Sequence, residues 1–279
     1  MRRASAALVV VVLSIVSALA LARASSAVGP TLVALRGATV TAPGGHAEYV
    51  ARAAGSTTRV LARRDGRTIH TLALDGAWGV QLATFDGRLS GLSPNGRVLV
   101  LSDNVEPNGG IRARSRFAVI DTRTLRLSRK IMLRGEFSVD ALSPEGRFLY
   151  LIQHVSRANL TKYQVRAYDL RTARLLPGTI ADKRQAGWVM AGYPVTRAET
   201  TSGAWVYTLY RQDGNYPFVH ALDTVHHFAV CVGLPAKWSA DSWVSSARLR
   251  LDAGKLEVRT RTGETRYVLD TKTFRLTTV

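Results

Sequence analysis

The chain repeats itself about every fifty residues, and that period limits its folds more than any other feature. Ser93-Pro94-Asn95-Gly96-Arg97-Val98-Leu99-Val100-Leu101 returns as Ser143-Pro144-Glu145-Gly146-Arg147-Phe148-Leu149-Tyr150-Leu151. After each copy comes an alternating run that ends in Asp, Phe117 to Asp121 and then Val165 to Asp169. Degraded copies follow at Thr201 to Leu209, closing at Asp223, and at Leu251 to Val258, closing at Asp270. Ala42 to Val50 is the first copy. The turn markers step by 50, 50, 59 and 50 residues, and the Asp markers by 48, 54 and 47. Two markers in one register mean a supersecondary unit that stacks on copies of itself to bury its apolar faces.

Within a unit the pattern predicts four short strands. In the third unit they are Phe137 to Leu142, Arg147 to Gln153, Tyr163 to Asp169, and one inside Thr172 to Ile180. Pro and Gly reverse the chain at the first turn. Apolar and polar residues alternate in the third strand, as on a half-buried β surface. Four antiparallel strands at this period make one propeller blade. The expected fold is all-β: a single β-propeller over 28–279 with units near 31–84, 85–135, 136–192, 193–242 and 243–279. Five units would close a ring, with Leu35 to Val40 beside Ser246 to Val279 and Thr31 to Leu35 latched onto the last blade. An open β-solenoid, or a ring completed by a second chain, is the alternative.

Ser-Pro-x-Gly-Arg-x-Leu-Tyr followed by Val-x-x-Asp-Thr resembles the YVTN-type and TolB-like β-propeller repeats. The Phe218 to Thr224 segment is similar to a group of secreted actinobacterial proteins that brings no activity with it. Such a resemblance implies a fold and leaves function open, because these repeats serve binders, scaffolds and enzymes.

Met1-Arg2-Arg3, the apolar run from Ala6 to Ala22 and the small residues after it have the order of a secretory signal peptide, with cleavage after Ala24 or Ala27. An uncleaved anchor over 1–27 is the alternative, and would be the sole membrane attachment. Export to the cell envelope or beyond is therefore expected. The lone Cys231 sits in an apolar strand and reads as a core thiol. Net charge is +18, from 38 Lys and Arg against 20 Asp and Glu. This balance favours polyanionic envelope polymers as partners. The arginines read as scattered over all units, which argues against a nucleic-acid module.

Alignment of the units on Ser143 and Ser202 puts Asp140 and Glu199 in one register on consecutive blades. Arg88 and Arg197 share a register on the same face. Two carboxylates near a channel could divide acid and base work, as in a hydrolase or lyase on carbohydrate. The plainer reading is mutual neutralisation between blades. The repeated Asp121, Asp169, Asp223 and Asp270 each precede a turn, where a carboxylate accepts backbone N–H bonds. His220, His226 and His227 lack the spacing of a metal site. No phosphate loop, Cys-x-x-Cys or nucleophile elbow occurs, so neither metal nor cofactor is implied. The long third unit contains Trp188 and Tyr193; Trp238 and Trp243 flank the last connection. Aromatics on such loops fit either a contact surface or plugs between blades. The expected function is non-catalytic binding or scaffolding of an envelope polymer or protein, through Arg88, Trp188, Tyr193, Arg197 and Trp243. The oligomeric state is not set by the sequence.

Overall fold

The protein is described here by a computed structural model covering residues 32–105, 111–184, 189–212, 214–235 and 243–279. The leader-like run therefore lies outside the described residues, and among those described no helix is long and apolar enough to cross a membrane.

Among the described residues, the alternating sequence becomes five blade-like antiparallel sheets with their main strands in chain order, and a small sixth sheet of Ala34–Leu35, Val80–Leu82 and Leu89–Ser90. Sheet one is Thr39–Thr41, Glu48–Ala54, Thr57–Arg64 and Arg67–Asp75. Sheet two is Val98–Ser102, Arg114–Asp121 and Arg126–Arg134, with Leu89–Ser90 continuing to a Leu92–Leu99 bridge as its inner strand. Sheet three is Glu136–Leu142, Phe148–His154 and Lys162–Asp169, with a broken outer edge. Pro177 has no N–H for a ladder, so this edge is pieced together from Arg174–Leu175, Ile180 and Met190–Ala191. Sheet four is Tyr193–Glu199, Trp205–Arg211, Phe218–Asp223 and Phe228–Gly233. Sheet five is Arg248–Asp252, Lys255–Arg259, Thr265–Asp270 and Leu276–Thr278. The architecture is that of a β-propeller.

Each pair of successive sheets encloses its own apolar core. Val60 and Ala62 meet Leu99 and Ile120 between sheets one and two. Phe117 and Val119 meet Phe137 and Leu149 between two and three. Tyr150 and Val165 meet Phe218 and Leu222 between three and four. Leu209 and Val219 meet Leu256 and Leu269 between four and five. Among the described residues no such core joins sheet five to sheet one.

Among the described residues, the packing expected between the first and last blades is therefore not seen. The reason is visible in the residues that the end sheets turn away from their neighbours. Arg52, Arg59 and Thr71 on sheet one are exposed, as are Arg248, Arg250 and Lys255 on sheet five. A face of this kind stays in water. The expected latch of Thr31 to Leu35 onto the last blade is not seen among the described residues, which begin at 32. Ala34–Leu35 pairs instead with Val80–Leu82, and Ala34 N–H donates to Asn104 O at 2.9 Å, beside sheet two.

The repeated turns explain why the motif recurs. Ser93 Oγ and Ser143 Oγ accept from the amides of Val98 and Phe148 at 3.0 and 2.9 Å, and Thr200 does the same for Trp205 at 3.0 Å. Three residues after each anchor stands a Gly with positive φ. Gly203 (φ +71°) faces Pro94 so closely that a Cβ there would sit 2.0 Å from the proline ring. At the other end, Asp121, Asp169, Asp223 and Asp270 each accept backbone N–H bonds from the following turn, as expected. These bonds hold the carboxyls of Asp121 and Asp270 below the usual range. Four residues beyond each Asp the chain enters the left-handed region at Leu125, Ala173, His227 and Phe274.

Two substitutions of opposite sign test this turn logic by urea denaturation. Gly203→Ala should lose about 3 kcal/mol, through strained φ and collision with Pro94. Ala173→Gly, normally a destabilising change, should instead be neutral or gain about 1 kcal/mol.

Candidate functional site

With Thr200 identified as the turn anchor of sheet four, Arg197 falls three residues before it. Asp140 and Ser90 stand three before Ser143 and Ser93. The alignment on Ser202 was therefore two residues out of step, because the glycine and the amide-accepting hydroxyl define the turn. Arg197, not Glu199, is the counterpart of Asp140.

These counterparts meet on the axis. Arg197 Nη2 donates to Asp140 Oδ1 at 2.5 Å and Nη1 to Asp140 O at 2.7 Å. Ser90 Oγ donates to the same carbonyl at 2.7 Å. Three consecutive inner strands are thereby tied at one point. Arg197 is 3% and Asp140 5% exposed. The expected ligand-binding role of Arg197 is corrected: its guanidinium is sealed and committed to Asp140. Glu199 Oε1 lies on its other side, 3.8 Å from Nη1, with the Glu199 side chain 43% exposed. The two carboxylates thus flank a guanidinium rather than an open space, so the geometry is that of an ion-pair clamp.

Next to the clamp opens a cleft of about 480 Å³, lined by Arg88, Glu199, Thr39, Thr41, Ser90 and Pro94 among others. Its walls come from sheets one to four. The segment before Arg88 is fixed across the axis: Phe85 N–H donates to Pro194 O at 2.9 Å, and Thr196 Oγ1 donates to Asp86 Oδ2 at 2.7 Å. Arg88 itself is exposed, and among the described residues it forms no ion pair. A separate cavity of about 40 Å³ is lined by Asp140, His154, Tyr163 and Tyr193.

The aromatics expected at a contact surface pack instead. Tyr193 meets Phe85 edge-on at 6.1 Å, with the Arg211 guanidinium 4.9 Å from its ring. Trp243 is half-buried 6.1 Å from Tyr267, at the edge of the core between sheets four and five. Trp188 and Trp238 lie outside the described residues. The three histidines diverge. His226 bonds Asp223 at 2.9 Å, His227 meets the Tyr150 hydroxyl, and His220 is buried against Cys231 Sγ at 3.4 Å. Burial pushes the Cys231 thiol up to about 12, which removes thiolate reactivity. Burial also pushes His220 down to about 4.

No protein-family profile matches the chain, and no curated protein matches it. Solved structures do. The chain is similar to the Dos1 propeller at 11% identity, with a TM-score of 0.50 and coverage of 90% of this chain and 58% of that one. It is also similar to TolB from Acinetobacter baumannii (12% identity, TM-score 0.46, 88% of this chain and 56% of that one). The Cps50 (Swd1) β-propeller domain of Myceliophteria thermophila gives 12% identity, a TM-score of 0.47, and coverage of 86% and 67%. The chain thus spans a little over half of the Dos1 and TolB structures. At these identities the likeness speaks to fold alone.

Two consequences follow from the buried groups. Arg197→Met leaves Asp140 buried without its partner and should cost about 3–5 kcal/mol in chemical denaturation. His220 stays neutral in the fold to about pH 4 but takes a proton near its ordinary 6.5 when unfolded. Its contribution is therefore fully present above pH 6.5 and lost as pH falls toward 4. The slope is about 1.4 kcal/mol per pH unit, and half-buried His154 and His227, also lowered by desolvation, add in the same direction. NMR titration of the native His220 ring should give a midpoint near 4; a midpoint near 6.5 would refute this.

Proposed function

We propose that the chain is a non-catalytic binding propeller of the cell envelope or extracellular space. It takes an anionic group of an envelope polymer or partner protein into the axial cleft. The observation that carries this reading is Arg88. It is an exposed guanidinium with no ion pair among the described residues, on the wall of a cleft otherwise lined by hydroxyls, apolar residues and one carboxylate. A guanidinium in that setting offers its N–H fork to phosphate or carboxylate. Thr39, Thr41 and Ser90 supply hydroxyls around it. The neighbouring Arg197–Asp140 clamp and the bonded Phe85–Asp86 segment hold the wall rigid, which lowers the ordering cost of binding. Export rests on the Arg2-Arg3 and Ala6 to Ala22 leader pattern.

A hydrolase or lyase would need carboxylates free to exchange protons with a substrate in the cleft. Asp140 is not on the cleft wall, and its carboxylate is engaged by Arg197. The geometry therefore favours binding.

The test is Arg88→Ala, whose exposed side chain makes no ion pair that folding needs. Retention on an immobilised anionic wall polymer of the teichoic type should fall about tenfold with the melting curve unchanged. Equal retention of wild type and variant would remove the cleft from the binding site.

A further inference from the structure

The cationic surplus is not evenly spread once the strands are placed. The outer hairpin of sheet two, Arg114–Asp121 with Arg126–Arg134, holds Arg114, Arg116, Arg123, Arg126, Arg129, Lys130 and Arg134. All seven are exposed. Asp121 is the single acid between 114 and 134, and its carboxylate accepts from Thr124. Arg116 pairs with Asp103 at 2.8 Å; among the described residues the other six have no ion pair. Arg114 and Arg134 stand directly opposite each other across the ladder, an arrangement that costs stability unless an anion lies between them.

Charge on an outermost strand is a common defence against edge-to-edge pairing. That defence does not account for this hairpin, because the other outer strands need it equally and lack it. Arg67–Asp75 carries Arg67 as its only Lys or Arg, Arg174–Leu175 carries Arg174, and Phe228–Gly233 and Leu276–Thr278 carry none. The concentration on sheet two calls for a ligand.

We propose that this hairpin is a docking strip for a linear, phosphate-rich polyanion, separate from the axial cleft. The occupant follows from charge complementarity and shape. Lys130 pairs with Ala118, whose side chain faces sheet one, while Arg129 pairs with Val119, whose side chain faces sheet three. The cations therefore emerge on both sides of a nine-residue edge. A flexible chain lying along that edge reaches both rows, whereas a flat bilayer meets only the rim. Single-stranded nucleic acid is recognised by stacking on exposed aromatics. The hairpin has one aromatic, Phe117, and it is fully buried. Phosphate spacing along a polymer, without base or sugar readout, is the chemistry that fits.

Long-chain inorganic polyphosphate is the probe, titrated into the full chain. Wild type should bind, with affinity falling steeply as salt rises from about 50 to about 300 mM. The triple variant Arg129→Gln/Lys130→Gln/Arg134→Gln should lose about tenfold or more. The control Arg52→Gln/Arg59→Gln/Arg64→Gln removes the same charge from exposed positions on sheet one and should lose less than about threefold. Equal losses in the two triples would reduce the effect to net charge and overturn the strip, as would absence of binding by wild type. Tighter binding to oligothymidylate or to anionic vesicles than to polyphosphate would overturn the assigned ligand class. Arg88→Ala should cost less polyphosphate affinity than the Arg129/Lys130/Arg134 triple variant; a loss as large as the triple's would place the polyanion in the cleft and overturn the strip.

Discussion

A guanidinium sealed on the axis sets the geometry of everything around it. Arg197 reaches from sheet four to the backbone and carboxylate of Asp140 on sheet three, and Ser90 joins the same carbonyl from sheet two. A buried ion pair contributes little net stability compared with an apolar substitute, yet neither partner can be removed alone. Its consequence is geometric. The three central inner strands meet in one register, and the turns beyond them, with Gly203 pressed against Pro94, are brought together. The cleft and Arg88 lie beside this knot and take their rigidity from it.

Outward from the axis the energetics are those of stacked sheets. Among the described residues the five blade-like sheets make four apolar interfaces, and the two terminal faces carry arginine, lysine and threonine. A repeat array ordinarily protects its ends with polar outer faces. Sheets one and five do this while the sheets between them are buried on both faces. Exposed basic residues lie on those end faces and, more densely, on the outer hairpin of sheet two.

The parts of this arrangement that repeat were legible in the sequence. Ser-Pro-x-Gly-Arg and the recurrent Asp report local turns whose chemistry is contained within a few residues, so Asp121 and Asp270 do what their positions suggest. The four-stranded unit was legible for the same reason. What was hidden depends on contacts between units. Thr200 substitutes for Ser as the turn anchor of sheet four, and only the amide of Trp205 reveals it. Alignment on Ser202 therefore paired Asp140 with the wrong residue. Packing of the first blade on the last was inferred from length, but the described faces of the two end sheets carry the Arg52↔Arg59 and Arg248↔Arg259 cross-strand pairs, plain only after strand pairing is known. The cations of 114–134 read in the sequence as part of a scatter over all units; the pairing of two strands gathers them on one exposed outer edge. Trp243 and Tyr193 looked like contact residues and prove to fill seams.

Amide hydrogen exchange on the intact chain tests most directly whether the molecule is organised around its central sheets, with wetted ends. The slowest amides should fall in Val98–Ser102, Glu136–Leu142, Phe148–His154 and Trp205–Arg211, while sheets one and five exchange faster through partial opening. Uniform protection across all five sheets, or maximal protection in sheet one or sheet five, would contradict that organisation.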